Sequence, residues 1–430
     1  MNSVFRKRDR VRASLAWLLC TMALAGAAAC GGDDPDADGG SLGPGGSGGD
    51  GGSGGDGGEG EGGNGGDEQK PTPYALFVAS NFESASELAV VDLEAGSVAG
   101  RIVFEDQDTL PYASGGRGFA LHRGAGAVAL LDPKAPWTVA HSVSVSEGEL
   151  STNPYAAVVA AGDKAYVVRY SHNAIAIVDT TNGTLAGEVE LSRFTRPDDP
   201  DGFVDAFDGV YDAGSKRAYF VLGRVNQFTT EFINPDWVAP CNAFTAALVG
   251  IDTETNEVLD LNGEDPGELL ELRGQNPNAL VADLANDRLI VLHTGCYQPA
   301  QNEEDEPIRD HRGIEAVSLS SGTTEWLYES AEADRLSYLL WLGPERAYVG
   351  KGFPTAWHAW NPTENELGEV EAKIPELPVW DGKRLVGLAS TEDGSIDAVA
   401  FDPDAGEVTT LASGLFETSG LFSYGSAVVR

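Results

Sequence analysis

The sequence predicts an all-β fold for residues 71–430, and three observations lead to this prediction. Helical periodicity is almost absent from this part of the chain. Short runs of β-branched and aromatic residues alternate with turns rich in Gly, Asn and Asp, which is the pattern of short strands. One phrase recurs along the chain: an apolar strand that ends in a polar residue, then a turn and a second strand.

The first thirty residues have the pattern of an export signal. Basic residues between Arg6 and Arg12 precede an apolar stretch, Ala13–Ala29, that ends in small residues. This stretch is short for a membrane-spanning helix and suits a signal peptide. Cys30 follows directly, and small residues before a cysteine resemble the lipobox of bacterial lipoproteins. The resemblance implies that residues 1–29 are a lipoprotein signal peptide and that Cys30 carries the lipid. An ordinary cleaved signal with an incidental cysteine is the alternative.

Residues 30–70 are predicted to be the lipidated cysteine and a disordered tether. The segment Gly31–Lys70 contains 20 Gly, ten acidic residues, one basic residue and no aromatic residue. Such a composition cannot bury apolar surface, so we expect a flexible linker rich in Gly and Asp. Its Asp residues lack the ligand spacing of a calcium-binding loop, which favours a spacer over a calcium-binding repeat.

The recurring phrase in residues 71–430 predicts a seven-bladed β-propeller. Its marker residues end the apolar strands and are Asp92, Asp132, Asp179, Asp252, Ser318, Asn361 and Asp402. A base period near 40, interrupted by steps of 73 and 66 residues, predicts four-stranded blades, with six or eight blades as alternatives. The C-terminal strand Leu421–Val429 is expected to close the ring as the inner strand of blade 1. We expect the marker carboxylates to cap turns and not to act in catalysis.

One blade also carries a family resemblance. The segment Ala165–Asp179 contains Tyr166-Val167, Asn173 and Val178-Asp179, and it resembles the Tyr-Val-Thr-Asn (YVTN) type of propeller repeat. The resemblance implies a propeller fold and an extracytoplasmic location. It implies no particular activity, because propellers host many unrelated functions.

The folded part of the chain is strongly acidic. Its 56 acidic and 22 basic residues give a formal charge of −34, out of −39 for the whole chain. Nucleic-acid binding needs clustered Lys and Arg, so this class of partner is excluded. A domain of this charge should remain soluble as a monomer beside a membrane and should avoid anionic partners.

Two insertions, Arg224–Asn242 and Thr294–Arg312, fall between the second and third strands of blades 4 and 5. Such loops lie at the mouth of the central channel in a propeller. Each insertion contains one cysteine, Cys241 or Cys296, and an exported pair of this kind oxidises. We therefore expect the disulfide Cys241–Cys296 in preference to a metal site, which would need more ligands.

The densest acidic cluster precedes and enters the inner strand of blade 4. It consists of Asp198, Asp199, Asp201, Asp205 and Asp208. Clustered oxygen ligands near a channel mouth suit Ca²⁺. The candidate metal ligands are Asp201, Asp205 and Asp208 together with His293, and Ca²⁺ is the candidate cofactor. Turn formation and solvated charge are the alternative interpretation.

The insertion loops also supply a candidate binding surface. Its residues are His172, Asn173, Phe228, Trp237 and Tyr297. Aromatic side chains are enriched at interfaces, which favours recognition of a partner. The alternative is that these aromatic residues pack the insertions onto the rim of the propeller.

The sequence favours a binding or scaffolding module over an enzyme. It contains no Gly-x-Ser-x-Gly elbow, no His-Glu-x-x-His motif and no P-loop. The expected function is to bind a protein, peptide or glycan through the channel mouth. We expect the protein to be lipid-anchored in the cell envelope, at the outer membrane or the cell surface. The alternative is a metal-dependent, lactonase-like propeller hydrolase that uses Asp205, Asp208 and His293.

Overall fold

The computed structural model describes residues 73–430 apart from short internal stretches. These stretches are 135–136, 149–150, 162, 197–200, 228–230, 234–235, 242–244, 264–268, 299–307, 331–335, 353–354 and 417–420. The predicted signal peptide, the Cys30 attachment site and the tether lie outside the described residues. Within them, helical structure is limited to short 3₁₀ turns such as Ser192–Phe194 and Leu284–Asn286, and no helix is long and apolar enough to cross a membrane.

The chain forms a seven-bladed β-propeller, as the sequence predicts. Each blade is a four-stranded antiparallel sheet, and strands are numbered in chain order. From the inner to the outer strand, blade 1 contains β32 (Phe422–Val429), β1 (Tyr74–Ser80), β2 (Ser86–Asp92) and β3 (Ser97–Phe104). Blade 2 contains β4 (Thr109–Ser114), β5 (Arg117–His122), β6 (Ala127–Asp132) and β7 (Thr138–Ser144). Blade 3 contains β8 (Pro154–Val159), β9 (Lys164–Arg169), β10 (Ala174–Asp179) and β11 (Thr184–Glu190).

The remaining four blades follow the same order. Blade 4 contains β12 (Ala206–Asp212), β13 (Arg217–Leu222), β16 (Ala247–Asp252) and β17 (Leu270–Glu271). Blade 5 contains β18 (Pro277–Asp283), β19 (Arg288–His293), β22 (Gly313–Ser318) and β23 (Thr324–Glu329). Blade 6 contains β24 (Leu336–Gly343), β25 (Arg346–Lys351), β26 (Ala356–Asn361) and β27 (Glu366–Val370). Blade 7 contains β28 (Glu376–Trp380), β29 (Leu385–Ser390), β30 (Ile396–Asp402) and β31 (Glu407–Ala412).

The core lies between the blades, and this position explains the nearly continuous apolar runs of the second strands. In β9, Ala165 and Val167 pack towards blade 2, while Tyr166 and Val168 pack towards blade 4. Both faces of the strand are therefore buried, and period-two alternation disappears. The described residues contain seven apolar clusters of this kind, one at each junction between neighbouring blades.

The ring closes through the C-terminal strand. Strand β32 pairs with β1 along its length, with Tyr74 opposite Val429 and Ser80 opposite Phe422. The last strand of the chain thus becomes the inner strand of the first blade. Blade 1 therefore combines the C-terminal strand with strands from the start of the folded region, and β1 is not left as an unpaired edge strand.

The marker residues cap turns in every blade. Asp179 is representative: its Oδ1 accepts hydrogen bonds from the N–H groups of Thr181 and Asn182, both at 2.9 Å. These bonds hold the pKa of the Asp179 carboxyl below its usual value. The same side-chain-to-backbone capping occurs at Asp92, Asp132, Asp252, Ser318, Asn361 and Asp402. The prediction that the markers are structural is confirmed.

The strand directions define two faces of the ring. The turn face carries the marker turns and the turns between first and second strands. The insertion face carries the starts of the inner strands, the connections between blades and the two insertions. On the turn face, basic residues at the start of second strands reach the next blade, as when Lys164 Nζ donates to the Thr253 carbonyl at 2.8 Å and Arg384 Nη2 donates to the Leu93 carbonyl at 3.3 Å.

Candidate functional site: the channel mouth

The two insertions meet in a small sheet of their own on the insertion face. Strands β14 (Glu231–Ile233) and β15 (Asp236–Pro240) come from blade 4, and β20 (Cys296–Gln298) and β21 (Ile308–Asp310) come from blade 5. The central pair, β15 and β20, is parallel. The sulfur atoms of Cys241 and Cys296 are bonded at 2.07 Å, directly after β15 and at the start of β20. The cysteine pair expected from the sequence is thus the pair that the structure joins, and it ties blade 4 to blade 5.

Asp201 and Asp205 anchor the start of the first insertion. Asp201 Oδ2 accepts a hydrogen bond from the N–H of Gln227 at 2.6 Å. Asp205 is completely buried, and its Oδ2 accepts a hydrogen bond from the N–H of Val225 at 2.7 Å. The side-chain amide of Gln227 donates to Asp205 Oδ1. Both carboxylates therefore hold a segment of backbone in place.

His293 lies inside the wall of blade 5 and is fully buried. Its Nε2 is 2.9 Å from Oε2 of the equally buried Glu315, although the contact does not have hydrogen-bond geometry. The Glu315 carboxylate accepts hydrogen bonds from the N–H groups of Arg273 at 3.0 Å and Gly274 at 3.4 Å. The pair thus fastens the connection between blades 4 and 5 to blade 5.

Asp208 is the member of the acidic group that lies in the channel. Its Oδ1 accepts hydrogen bonds from its neighbour Gly209 N–H at 2.8 Å and from the hydroxyl of Tyr112 in blade 2 at 3.3 Å. Its Oδ2 accepts the N–H of Leu280 in blade 5 at 3.1 Å. These contacts connect the inner strands of blades 2, 4 and 5 across the channel.

The surroundings of Asp208 disfavour its charge. Asp208 and Tyr112 lie deep among protein atoms. Both side chains are half-buried, because the channel leaves them partial access to water. Desolvation raises the pKa of Asp208 to about 6, and its hydrogen bonds oppose this shift. Burial and the neighbouring carboxylate raise the pKa of Tyr112 well above its ordinary value. Tyr112 therefore stays a neutral hydrogen-bond donor.

The predicted metal ligands do not form one donor set. Asp201 and Asp205 anchor a loop, Asp208 lies in the channel, and His293 is enclosed in the wall of a blade. In the part of the chain that the structure describes, no three His, Cys, Asp or Glu side chains are grouped so that they could hold a metal ion. Asp198 and Asp199 lie outside that part. Among the described residues, Asp201, Asp205, Asp208 and His293 therefore do not form the Ca²⁺ site suggested by the sequence.

Two of the predicted binding residues serve the propeller itself. His172 Nε2 lies 2.8 Å from the carboxylate of Glu147, which belongs to the connection between blades 2 and 3. The Asn173 amide donates to the Gly202 carbonyl at 2.8 Å, and its Oδ1 accepts the N–H of Val204 at 3.0 Å. Asn173 thus fixes the connection into blade 4.

The other three predicted binding residues belong to the insertions. Tyr297 is half-buried in β20, next to the disulfide. Trp237 lies in β15, for which only the backbone is described at this position, and Phe228 lies outside the described residues. Their contact with a partner stays a prediction.

An aromatic collar, formed by Tyr155, Tyr170 and Phe207, lies at the channel mouth on the insertion face. Tyr155 and Phe207 are the unpaired residues of β-bulges at the starts of the inner strands β8 and β12. The Tyr155 ring centroid is 5.2 Å from that of Tyr170 and 5.2 Å from that of Phe207. All three side chains are half-buried. A bulge redirects a side chain, and here two bulges bring aromatic rings together.

Arg123 closes one side of the collar. Its guanidinium carbon lies 4.9 Å from the Tyr155 ring centroid, and its Nη1 donates to the Tyr155 hydroxyl at 2.6 Å. Its Nε and Nη2 donate to Asp108 Oδ1 at 2.9 and 2.6 Å. The Arg123 side chain is 8 % exposed, so a fixed acid–base pair from blade 2 supports the collar.

Sequence reasoning missed the collar, Arg123 and the partners of Asp208. Aromatic residues near the starts of inner strands are visible in the sequence, at Tyr155 and Phe207. Their convergence depends on two bulges and on the ring geometry, neither of which leaves a local signal. Period-two alternation cannot be carried through a bulge, because the extra residue changes the side of every residue that follows.

Solved structures share this architecture at low sequence identity. The periplasmic gluconolactonase PpgL of Pseudomonas aeruginosa superposes with a TM-score of 0.51 at 14 % identity, covering 84 % of this chain and 99 % of that chain. A hydrazine synthase chain of Kuenenia stuttgartiensis gives a TM-score of 0.50 at 12 % identity, covering 83 % and 100 %. No protein-family model matches the chain, and no curated protein sequence is similar to it. At these identities the likeness shows the propeller fold alone.

Proposed function

We propose that this protein is an exported, lipid-anchored β-propeller that acts as a binding module through its insertion face. The observation that carries the proposal is the aromatic collar, which lies on the same face as the disulfide-linked insertion sheet. Partly exposed aromatic side chains at a channel mouth are a typical recognition surface. A protein, peptide or glycan suits such a surface, whereas the charge of −34 disfavours anionic partners.

A metal-dependent hydrolase is the less favoured function. Asp205 and His293 are fully buried in structural contacts, and only Asp208 of the expected hydrolase residues faces the channel. An ion-dependent mechanism needs ligands that converge on one open position. The collar offers ring faces and hydrogen bonds, which suit binding.

The proposal includes a lipid anchor at Cys30 and a location in the cell envelope. The apolar stretch before Cys30 and the Gly-rich tether after it support this part, as does the YVTN-type segment around Tyr166. The tether would hold the propeller away from the lipid surface, with a span of roughly 35 Å for 40 flexible residues. Palmitate labelling of the full chain should disappear in Cys30→Ala and persist in Cys20→Ala. Labelling that survives Cys30→Ala would contradict the anchor.

Binding through the insertion face can be tested by capture from envelope extracts of the producing cells. The full chain is compared with the collar variant Tyr170→Ala/Phe207→Ala. The control, Leu185→Ala/Val408→Ala, removes exposed apolar side chains from outer strands of blades 3 and 7. We expect the wild type and the control to retain the same protein, peptide or glycan and the collar variant to lose it. Equal retention by all three chains would contradict a binding role for this face.

A further inference from the structure

We infer that the channel mouth binds an organic cation, an ammonium or guanidinium group on an apolar stem, with Asp208 as its counter-ion and the aromatic collar as its apolar wall. The inference rests on the proposed binding function and specifies its ligand chemistry. Asp208 follows the collar residue Phe207 directly in the inner strand β12, and its hydrogen bond from Tyr112 of blade 2 places the carboxylate in the channel.

Asp208 has hydrogen bonds but lacks a compensating charge among the residues described around it. Its partners are two backbone N–H groups and a neutral phenol. The groups that perturb its titration are the same three, together with burial, and none of them is a cation. Elsewhere at the mouth the structure does pair its charges, as Arg123 with Asp108. An enclosed carboxylate without a cation is unfavourable, and a cationic ligand would compensate it.

The collar provides the second requirement for a cationic ligand. The faces of aromatic rings attract cations, most strongly where water is partly excluded. The collar already holds one cation in this way, because the Arg123 guanidinium lies 4.9 Å from the Tyr155 ring centroid. Tyr170 and Phe207 extend the same half-buried surface from blade 3 to blade 4. An alkyl stem would pack against these rings while its charged end approaches Asp208.

Electrostatics favours a cation over a sugar or an anion. The folded region carries −34, and a field of this sign raises the local concentration of cations at a concave mouth. A neutral sugar would stack on the collar without using the charge of Asp208. The test below therefore compares a cation with a neutral molecule of similar shape.

Affinity for a cation should increase as the pH rises. Desolvation raises the pKa of Asp208 to about 6, so the carboxylate is ionised above this pH and loses its charge below it. Tyr112, from β4, is the titratable group that faces it, and its raised pKa keeps it neutral throughout this range. Strand β18 contributes only the N–H of Leu280. Cation binding should thus be about tenfold weaker at pH 5 than at pH 7.5.

The test is a calorimetric titration of the full chain with butylammonium and with butanol. At pH 7.5 we expect butylammonium to bind at least tenfold more tightly than butanol and to weaken about tenfold at pH 5. Asp208→Asn should lose this preference at pH 7.5, while Asp252→Asn, at an exposed turn, should keep it. Equal binding of the two probes, or an unchanged preference in Asp208→Asn, would overturn the inference. The pH series needs no substitution, so it holds even if the variant folds poorly.

Two further comparisons sharpen the result. A Gly-Lys-Gly peptide with an acetylated N-terminus and an amidated C-terminus that binds more tightly than butylammonium would identify the cation as a side chain of a protein partner, and tighter binding of the free amine would identify a small molecule. If the collar still captures a partner but the chain shows no preference for butylammonium over butanol, the cation inference is wrong and the binding function stands. If both the capture and the preference are absent, the cation inference and the proposed binding function are both wrong.

Discussion

The surroundings of the Asp208 carboxylate disfavour its ionised form, and this predicts a pH-dependent free energy of unfolding. Its pKa of about 6 in the folded protein exceeds the value near 4 of an unfolded Asp, so the folded state binds the proton more tightly. The contribution of Asp208 to the free energy of unfolding should therefore fall as the pH rises from 4 through 6. This difference between the folded and unfolded pKa corresponds to roughly 3 kcal/mol. Denaturant unfolding of the wild type and Asp208→Asn at pH 4 to 7.5 measures the difference.

We expect the stability of Asp208→Asn relative to the wild type to increase over this pH range. Asp402→Asn is the control, because hydrogen bonds from the turn backbone lower the pKa of Asp402. A lowered pKa stabilises the fold above the unfolded pKa near 4 and loses that effect only as the pH falls below it, so the stability of Asp402→Asn relative to the wild type should stay nearly constant from pH 4 to 7.5. Parallel profiles for the wild type and Asp208→Asn would show that Asp208 titrates normally.

Gly274 makes room for the buried imidazole of His293. A Cβ atom at this position would lie 2.0 Å from His293 Cγ. Gly274→Ala should therefore lower the free energy of unfolding by about 1–3 kcal/mol through overpacking. His293→Ala removes the ring, so adding Gly274→Ala to it should cost much less. Chemical denaturation of the two single variants and the double variant measures the coupling, and additive effects would contradict the contact.

At the residue scale, the sequence predicted local contacts well and distant ones poorly. The marker residue Asp179 caps a turn only two or three residues away, and its role follows from local chemistry. Asp201, Asp205 and Asp208 are close in sequence, but two of them hold a loop and the third faces the channel. Their separation depends on the bulge at Phe207 and on Leu280, which is 72 residues away from Asp208.

At the scale of elements, the disulfide Cys241–Cys296 is the strongest link between the insertions. It closes a loop with a sequence separation of 55, which spans parts of blades 4 and 5. Chain-entropy estimates give about 4 kcal/mol for such a loop. Cys241→Ser/Cys296→Ser should lower the free energy of unfolding by up to this amount, measured against the wild type by denaturant unfolding. The same stability in the wild type with and without reductant would contradict a structural role for the bond.

Strand positions in the blades were predictable, whereas the insertion sheet was not. In blade 3, β9 (Lys164–Arg169) and β10 (Ala174–Asp179) coincide with short apolar runs of the kind that the sequence predicts as strands. Their apolar runs between turn residues are a local signal. The insertion strand β14 has only three residues, and β15 pairs in parallel with a strand from another blade. Such pairing depends on the ring, which places the two loops side by side.

At the scale of the whole molecule, the C-terminal strand is expected to decide whether the ring forms. Deleting residues 421–430 would leave β1 as an open inner edge in blade 1 and expose the surface covered by Ala427 and Val429. We expect the truncated chain to lose cooperative thermal unfolding. Moving residues 421–430 to a position before Pro73 should restore it, because Val429 and Tyr74 are paired and a short turn can join them.

Blade number and ring closure were accessible from the sequence because both are properties of the repeat. The marker spacing contains one period per blade, and the unpaired final strand matches the missing inner strand of blade 1. The channel mouth is different, since it combines residues of blades 2, 3, 4 and 5. No single repeat contains that information. A cooperative truncated chain that melts at the wild-type temperature would contradict the closure.

The central claim, that the insertion face is the binding face, is tested most directly by photo-cross-linking in the producing cells. A photoreactive residue replaces Glu147, an exposed residue on the insertion face, or Glu94, an exposed residue on the turn face. We predict a discrete cross-linked product from position 147 that disappears in the background of Tyr170→Ala/Phe207→Ala, and none from position 94. Equal products from both positions, or a product from position 94 alone, would contradict the claim.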